Sequence, residues 1–321
     1  MKHLRKIKIF KVKSFAYTPF ENLEDIKFFK EQGIEFVATP QEADILISQN
    51  IKHLKKFFLR FGRRKTYLIW TLEPRFNIYF SECQKLFLGF IKCHIMNIYT
   101  GDVFVHIPTF HFKYCRHKIS YIPDSFQLKN RRTVALMSFY KGLNAPPLIR
   151  NGESIDLIKI RSEIALEGFN RGVLDIIGKG WPNGLSLEDS REGNWPGRKL
   201  QILKDYQFNL CLENTIAENY VTEKIWDSIR ASCLPIYYGK GTGIYQLFPK
   251  NSFIDVSDFE DYNELFEFIE NMSDENYILR LNKCIEVYNN ICDYTTNEIS
   301  KIHQTMLKKI VEKCRTLVPF K

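Results

Sequence analysis

No stretch of the 321-residue chain approaches the roughly 18 uncharged apolar residues that a membrane-spanning helix needs, so the sequence offers no transmembrane segment. The opening residues, MKHLRKIKIFKVKSF, are basic and begin to alternate at once. They hold no apolar core and no small-residue cleavage site, which argues against a signal peptide and for a first β-strand. Cysteine occurs eight times, at 83, 93, 115, 211, 233, 284, 292 and 314, but never as C-x-x-C or beside histidines in a zinc-like spacing. Reduced thiols in a cytoplasmic protein are therefore expected, either soluble or peripheral at a membrane. Internal repeats and low-complexity tracts are also absent.

What is present suffices for two buried cores: 45% of the residues are hydrophobic and 14% aromatic. Charge is uneven. Residues 1–70 carry 15 Lys and Arg against 7 Asp and Glu, a balance of +8, while the whole chain stands at +9. A field of that sign attracts an anionic membrane, an anionic glycan or a nucleic acid. No nucleic-acid-binding module is recognisable, and no nucleic-acid partner is expected.

Short runs rich in Ile, Val and Phe alternate with helical patterns throughout, the signature of an α/β protein with parallel sheets. Strands are predicted over Ile7 to Val12, Phe36 to Ala38, Asp44 to Ser48, Thr66 to Thr71 and His94 to Ile98, with helical patterns near 22–32, 52–60 and 80–90. The polar stretch Ile122 to Arg132 reads as a linker, and a second α/β unit starts at Thr133. Three amphipathic helices close the chain; the last carries Ile299, Ile302, Met306, Ile310 and Val311 on one face and Lys301, Lys308, Lys309 and Lys313 opposite.

The segment with most chemistry is 208–239, FNLCLENTIAENYVTEKIWDSIRASCLPIYYG. Phe208 to Leu212 predicts a buried parallel strand that ends in Glu213-Asn214, and ligands of open α/β sheets bind just outside such ends. A helix is predicted to begin near Thr222. Its free amides and dipole suit a phosphate, and Lys224 adds a full charge. Glu223 would repel a phosphate, so hydroxyl groups are its plausible targets. An exposed Glu-Lys helix pair is the plainer reading of the same two residues.

The run E-N-x(5)-Y-V-T-E-K, followed by Pro235-Ile-Tyr-Tyr-Gly239 and by Phe248 to Phe259, resembles the signature block of the α-1,3/4-fucosyltransferases, glycosyltransferase family 10. About a sixth of the chain carries the likeness. The resemblance implies a GT-B architecture, two Rossmann-like domains with a cleft between them: an acceptor-binding domain over 1–130 and a GDP-fucose-binding domain over 131–295. A C-terminal helix over 296–321 would pack back on the first. It implies that Tyr220, Glu223 and Lys224 contact GDP-fucose, Lys224 on the diphosphate and Glu223 on ribose or fucose hydroxyls, with Asn214 in the same cleft. A family arginine that meets the phosphates matches Arg161, with Arg150 and Arg171 as rivals. The family's catalytic base, a glutamate after a strand of the first domain, matches Glu73 in Trp70-Thr-Leu-Glu73-Pro-Arg-Phe-Asn77.

The implied reaction is inverting transfer of fucose to a glycan acceptor, at O3 of an N-acetylglucosamine or glucose unit. No strict Asp-x-Asp occurs, Asp258-Phe-Glu260 being nearest. Lys224, Arg161 and the helix terminus are expected to replace a metal, so no cofactor or obligatory metal is implied. The sequence departs from the resemblance at Leu212, where the family usually has an aromatic residue, and at Trp70, where a tyrosine can stand in a bacterial member. Without a Golgi-type anchor or a heptad tail, it is most similar to a soluble bacterial-type or viral member. A transferase using another nucleotide sugar and a non-catalytic binding relative are the alternatives.

Overall fold

The computed structural model describes residues 6–13, 18–75, 78–109, 111, 117–140, 147–188 and 195–318. Cys115, Phe76 and Asn77, all singled out above, lie outside them. The chain divides into two compact units, residues 1–106 with 296–321, and residues 107–295.

The first unit is built on a six-stranded sheet in the order β2-β1-β3-β4-β6-β5. Its strands are β1 Ile7–Lys11, β2 Ile34–Phe36, β3 Ile45–Ser48, β4 Thr66–Trp70, β5 Cys83–Leu86 and β6 Ile91–Met96. All neighbours are parallel except β5 and β6. Every residue of β3 is buried, as expected of a parallel strand covered on both faces. Helices Leu23–Glu31 and Ile51–Phe61 begin at Asn22 and Asn50, whose side-chain carbonyls accept from the first-turn amides.

The helical pattern near 80–90 is overturned. The apolar spacing there belongs to edge strand β5 and to the turn that joins it to β6. The helix Thr296–Leu317 belongs to the first unit and buries Met306, Leu307, Ile310, Val311 and Cys314. His303 Nε2 lies 2.7 Å from Asp25 Oδ1, Lys313 pairs with Glu82, and Arg315 donates to the carbonyl of Gln32.

The second unit holds a five-stranded, all-parallel sheet in the order β10-β7-β11-β12-β13. These are β7 Thr133–Leu136, β10 Leu174–Ile177, β11 Phe208–Leu210, β12 Leu234–Tyr237 and β13 Ile254–Asp255; a small hairpin, β8 Ile149–Arg150 with β9 Glu153–Ser154, stands apart. Both units are α/β and Rossmann-like, the layering of a GT-B-type chain. Residues 107–130 cluster with the second unit and not the first. The cause is specific: the amides of Ile119, Ile122 and Leu128 donate to the side chains of Asn289, Asn282 and Asp274 on helix Asp274–Cys292. Among the described residues no helix is long and apolar enough to cross a membrane.

Helix Leu157–Asn170 lies against β10 and against helix Tyr262–Glu270, and Gly168 sits at the closest approach. A Cβ there would fall 2.4 Å from Phe266 Cζ and 2.7 Å from Leu174 Cβ. Gly168→Ala is therefore expected to destabilise the second unit by about 1–3 kcal/mol through overpacking, read as a lower urea midpoint.

Candidate functional site

The strand order of the second sheet reverses between β7 and β11: the chain runs from β7 to β10 on one side, then to β11 on the other. At such a switch point the connections leave in opposite directions and open a crevice at the carboxyl ends. A small cavity lies there, lined by Leu136 at the end of β7 and Met137 after it, by residues 209–212 of and after β11, and by Arg161, Lys199 and Lys224. Each cation comes from a different helix, respectively Leu157–Asn170, Trp195–Leu203 and Glu223–Arg230.

Three cations so placed need partners. Arg161 Nη1 donates to Asn214 Oδ1 at 2.6 Å, and Lys199 Nζ to Asp227 Oδ2 at 2.7 Å. Lys224 Nζ donates to Glu213 Oε2 at 2.8 Å and to Thr222 Oγ1 at 2.6 Å. The Glu213 carboxylate is fully buried. It accepts the Thr222 amide at 2.7 Å, and the Thr222 hydroxyl lies 2.8 and 2.9 Å from its two oxygens. Thr222 stands at the N-cap position, yet its side chain makes no cap bond to the helix. Glu213 has drawn that hydroxyl away.

Burial works against the charge on Lys224, but the carboxylates of Glu213 and Glu223 outweigh it and raise the lysine's pKa. Burial likewise favours a neutral Glu223; the charges of Lys224 and Lys199 prevail and hold its carboxyl at about 2. Glu223 Oε1 lies 3.7 Å from Lys224 Nζ. Both members of the pair are thus ionised at neutral pH.

Of the residues singled out from the sequence, Arg161 and Asn214 are brought together by a hydrogen bond, as are Glu223 and Lys224 by charge. Tyr220 is buried just ahead of the helix. Glu73 stands in the first unit, exposed after β4, with its amide donating to Thr71 Oγ1 at 3.0 Å. The rival Arg171 is engaged elsewhere, with Glu270, and Arg150 sits in the small hairpin. Two residues of the cluster had no role in the sequence reading. Glu213 stands in the sequence as a polar group at a strand end and as the first residue of the E-N-x(5)-Y-V-T-E-K run, with no partner named. Lys199 had no local signal, since its partner lies 28 positions away. Among the described residues no group of three or more His, Cys, Asp or Glu is arranged to hold a metal.

Thr222→Val is expected to cost about 2 kcal/mol in urea unfolding, because hydrogen bonds to a buried carboxylate are lost. Glu223 carries a sign that can be checked. Its folded pKa is depressed, so its stabilisation is present above pH 4.5 and is lost as pH falls towards about 2. Glu223→Gln should flatten the fall of the unfolding midpoint below pH 4.5.

Residues 176–315 match the family model described as Glycosyltransferase family 10 (fucosyltransferase) C-term. The Helicobacter pylori alpha-(1,3)-fucosyltransferase FucT is 42% identical over 72 residues, which are 22% of this chain and 15% of that protein. The Arabidopsis thaliana alpha-(1,4)-fucosyltransferase is 32% identical over 88 residues, 27% of this chain and 22% of that protein. The chain thus matches less than a quarter of the length of these relatives. A crystal structure of alpha1,3-fucosyltransferase with GDP-fucose superposes with a TM-score of 0.50 at 18% identity, over 95% of this chain and 91% of that one, and so shares the fold. The matched segment holds Lys199, Glu213, Asn214, Tyr220, Glu223 and Lys224, and over it the chain is homologous to the glycosyltransferase family 10 fucosyltransferases.

Proposed function

We propose that the chain is an inverting fucosyltransferase, moving L-fucose from GDP-fucose to a glycan hydroxyl, O3 of an N-acetylglucosamine or glucose unit. The observation that carries this reading is the convergence of Arg161, Lys199 and Lys224 on the strand-end cavity of the second unit, largely within the segment homologous to fucosyltransferases. A diphosphate suits three cations at a parallel switch point. That the relatives are alpha-(1,3)- and alpha-(1,4)-fucosyltransferases, and that a structure of like fold holds GDP-fucose, supports GDP-fucose as the sugar nucleotide.

In this reading the second unit binds GDP-fucose and the first binds the acceptor. Lys224 and Arg161 meet the diphosphate, and Asn214 holds the Arg161 guanidinium towards it. Glu223, ionised, accepts from hydroxyls of the ribose or fucose, and Tyr220 shapes the same pocket. Glu73 takes the proton of the acceptor hydroxyl as its oxygen attacks the anomeric carbon. The bond to GDP breaks on the opposite face, and the configuration inverts. Negative charge grows on the leaving diphosphate as this bond breaks, where fixed cations stabilise the transition state more than the ground state.

Transfer of labelled fucose from GDP-fucose to an N-acetyllactosamine acceptor tests the proposal. Glu73→Gln is expected to lower kcat by about 100-fold or more, as loss of a general base does, with the dissociation constant for GDP-fucose unchanged. Full turnover in that variant would remove Glu73 from the role. Turnover is further expected to persist in excess chelator, since side-chain cations take the place of a metal.

A further inference from the structure

The hairpin between β5 and β6 in the first unit turns through Phe87-Leu88-Gly89-Phe90. Phe87 and Leu88 have φ of 49° and 53°. Side-chain-bearing residues disfavour that left-handed region, and tight hairpins ordinarily fill it with Asn or Gly. Here the unfavourable positions also present apolar groups to water: Leu88 is 101% exposed, Phe90 62% and Phe87 53%. Neither local conformation nor burial accounts for such a turn.

Its surroundings are cationic. Lys85 stands directly opposite Lys92 across the antiparallel pair, a like-charge arrangement that weakens a hairpin. Residues 51–65, the adjoining helix and 3-10 turn, contain seven Lys and Arg and no carboxylate. Arg63 lies 5.2 Å over the Phe90 ring and donates to the Phe90 carbonyl at 2.8 Å. The Phe87 ring meets Phe58 of the helix at 6.2 Å, and Leu59 of that helix is 81% exposed.

We propose that this hairpin tip docks the protein on an anionic lipid bilayer. Leu88, Phe90 and Phe87 enter the boundary between headgroups and acyl chains, and Lys85, Lys92, Arg63 and Arg64 meet the anionic headgroups. Exposed apolar side chains ringed by cations suit that boundary, where both kinds of group find partners at adjacent depths. A second copy of the chain fits less well, because an isologous contact would bring the two cationic surrounds together. The inference rests on the first unit alone and is independent of the sugar-transfer reading.

Co-sedimentation of the full chain with phosphatidylcholine vesicles, and with vesicles that also contain phosphatidylserine, tests it. Binding is expected to the anionic vesicles only and to weaken with salt. Each lysine removed in Lys85→Gln/Lys92→Gln should weaken binding roughly fivefold. Leu88→Ser/Phe90→Ser should abolish it, and neither variant should lower the urea midpoint. Equal binding to neutral vesicles, no binding to either, or binding unmoved by both variants would overturn the proposal. So would concentration-dependent self-association lost in Leu88→Ser/Phe90→Ser, which would assign the tip to a second copy.

Discussion

The buried Glu213 carboxylate is the constraint on which the candidate site depends. It lies just past β11, takes the amide and hydroxyl of Thr222 and pairs with Lys224, and so ties a strand end to a helix start eleven positions away along the chain. A buried carboxylate is tolerable only while its donors stay in place. Removing any donor leaves charge without compensation, so the position of Lys224 is set by the cost of moving it. The same contact uses up the hydroxyl that would otherwise cap the helix, leaving the first turn at the cavity without a side-chain cap.

Around that anchor the sheet order does the rest. Reversal between β7 and β11 opens the crevice, and three helices each deliver one cation to it. The partners differ in kind: a neutral amide for Arg161, carboxylates for Lys199 and Lys224. Lys199 links helix Trp195–Leu203 to Asp227, one turn along from Glu223, and its charge helps to keep Glu223 ionised. Positioning and electrostatics are therefore carried by the same side chains.

Much of this was legible in the sequence because parallel strands buried on both faces read as continuous apolar runs. Ile45–Ser48 and Thr66–Trp70 follow the apolar runs within a residue. Edge strand β5 was not legible: Phe80, Cys83, Leu86, Phe87 and Phe90 repeat at helical spacing, although the last two belong to an exposed turn. The motif around Tyr220-Val-Thr-Glu-Lys224 marked the site, since helix start, charge and strand end fall within a dozen residues. Lys199 with Asp227, and the attachment of residues 107–130 to the second unit through Asn282 and Asn289, are long-range contacts with no periodic trace. Three-dimensional pairing alone reveals them.

The central claim is that the cation-lined cavity of the second unit is a diphosphate-sugar site selective for GDP-fucose. Thermal unfolding in the presence of GDP-fucose, GDP-mannose and UDP-N-acetylglucosamine tests it without knowledge of the acceptor. A ligand at 100 times its dissociation constant stabilises the fold by about 2.7 kcal/mol, enough to move the melting temperature visibly. The account predicts a clear rise with GDP-fucose, a smaller one with GDP-mannose and none with the uridine sugar, all abolished in Arg161→Ala. A rise with UDP-N-acetylglucosamine alone, or a GDP-fucose response unchanged in Arg161→Ala, would contradict it.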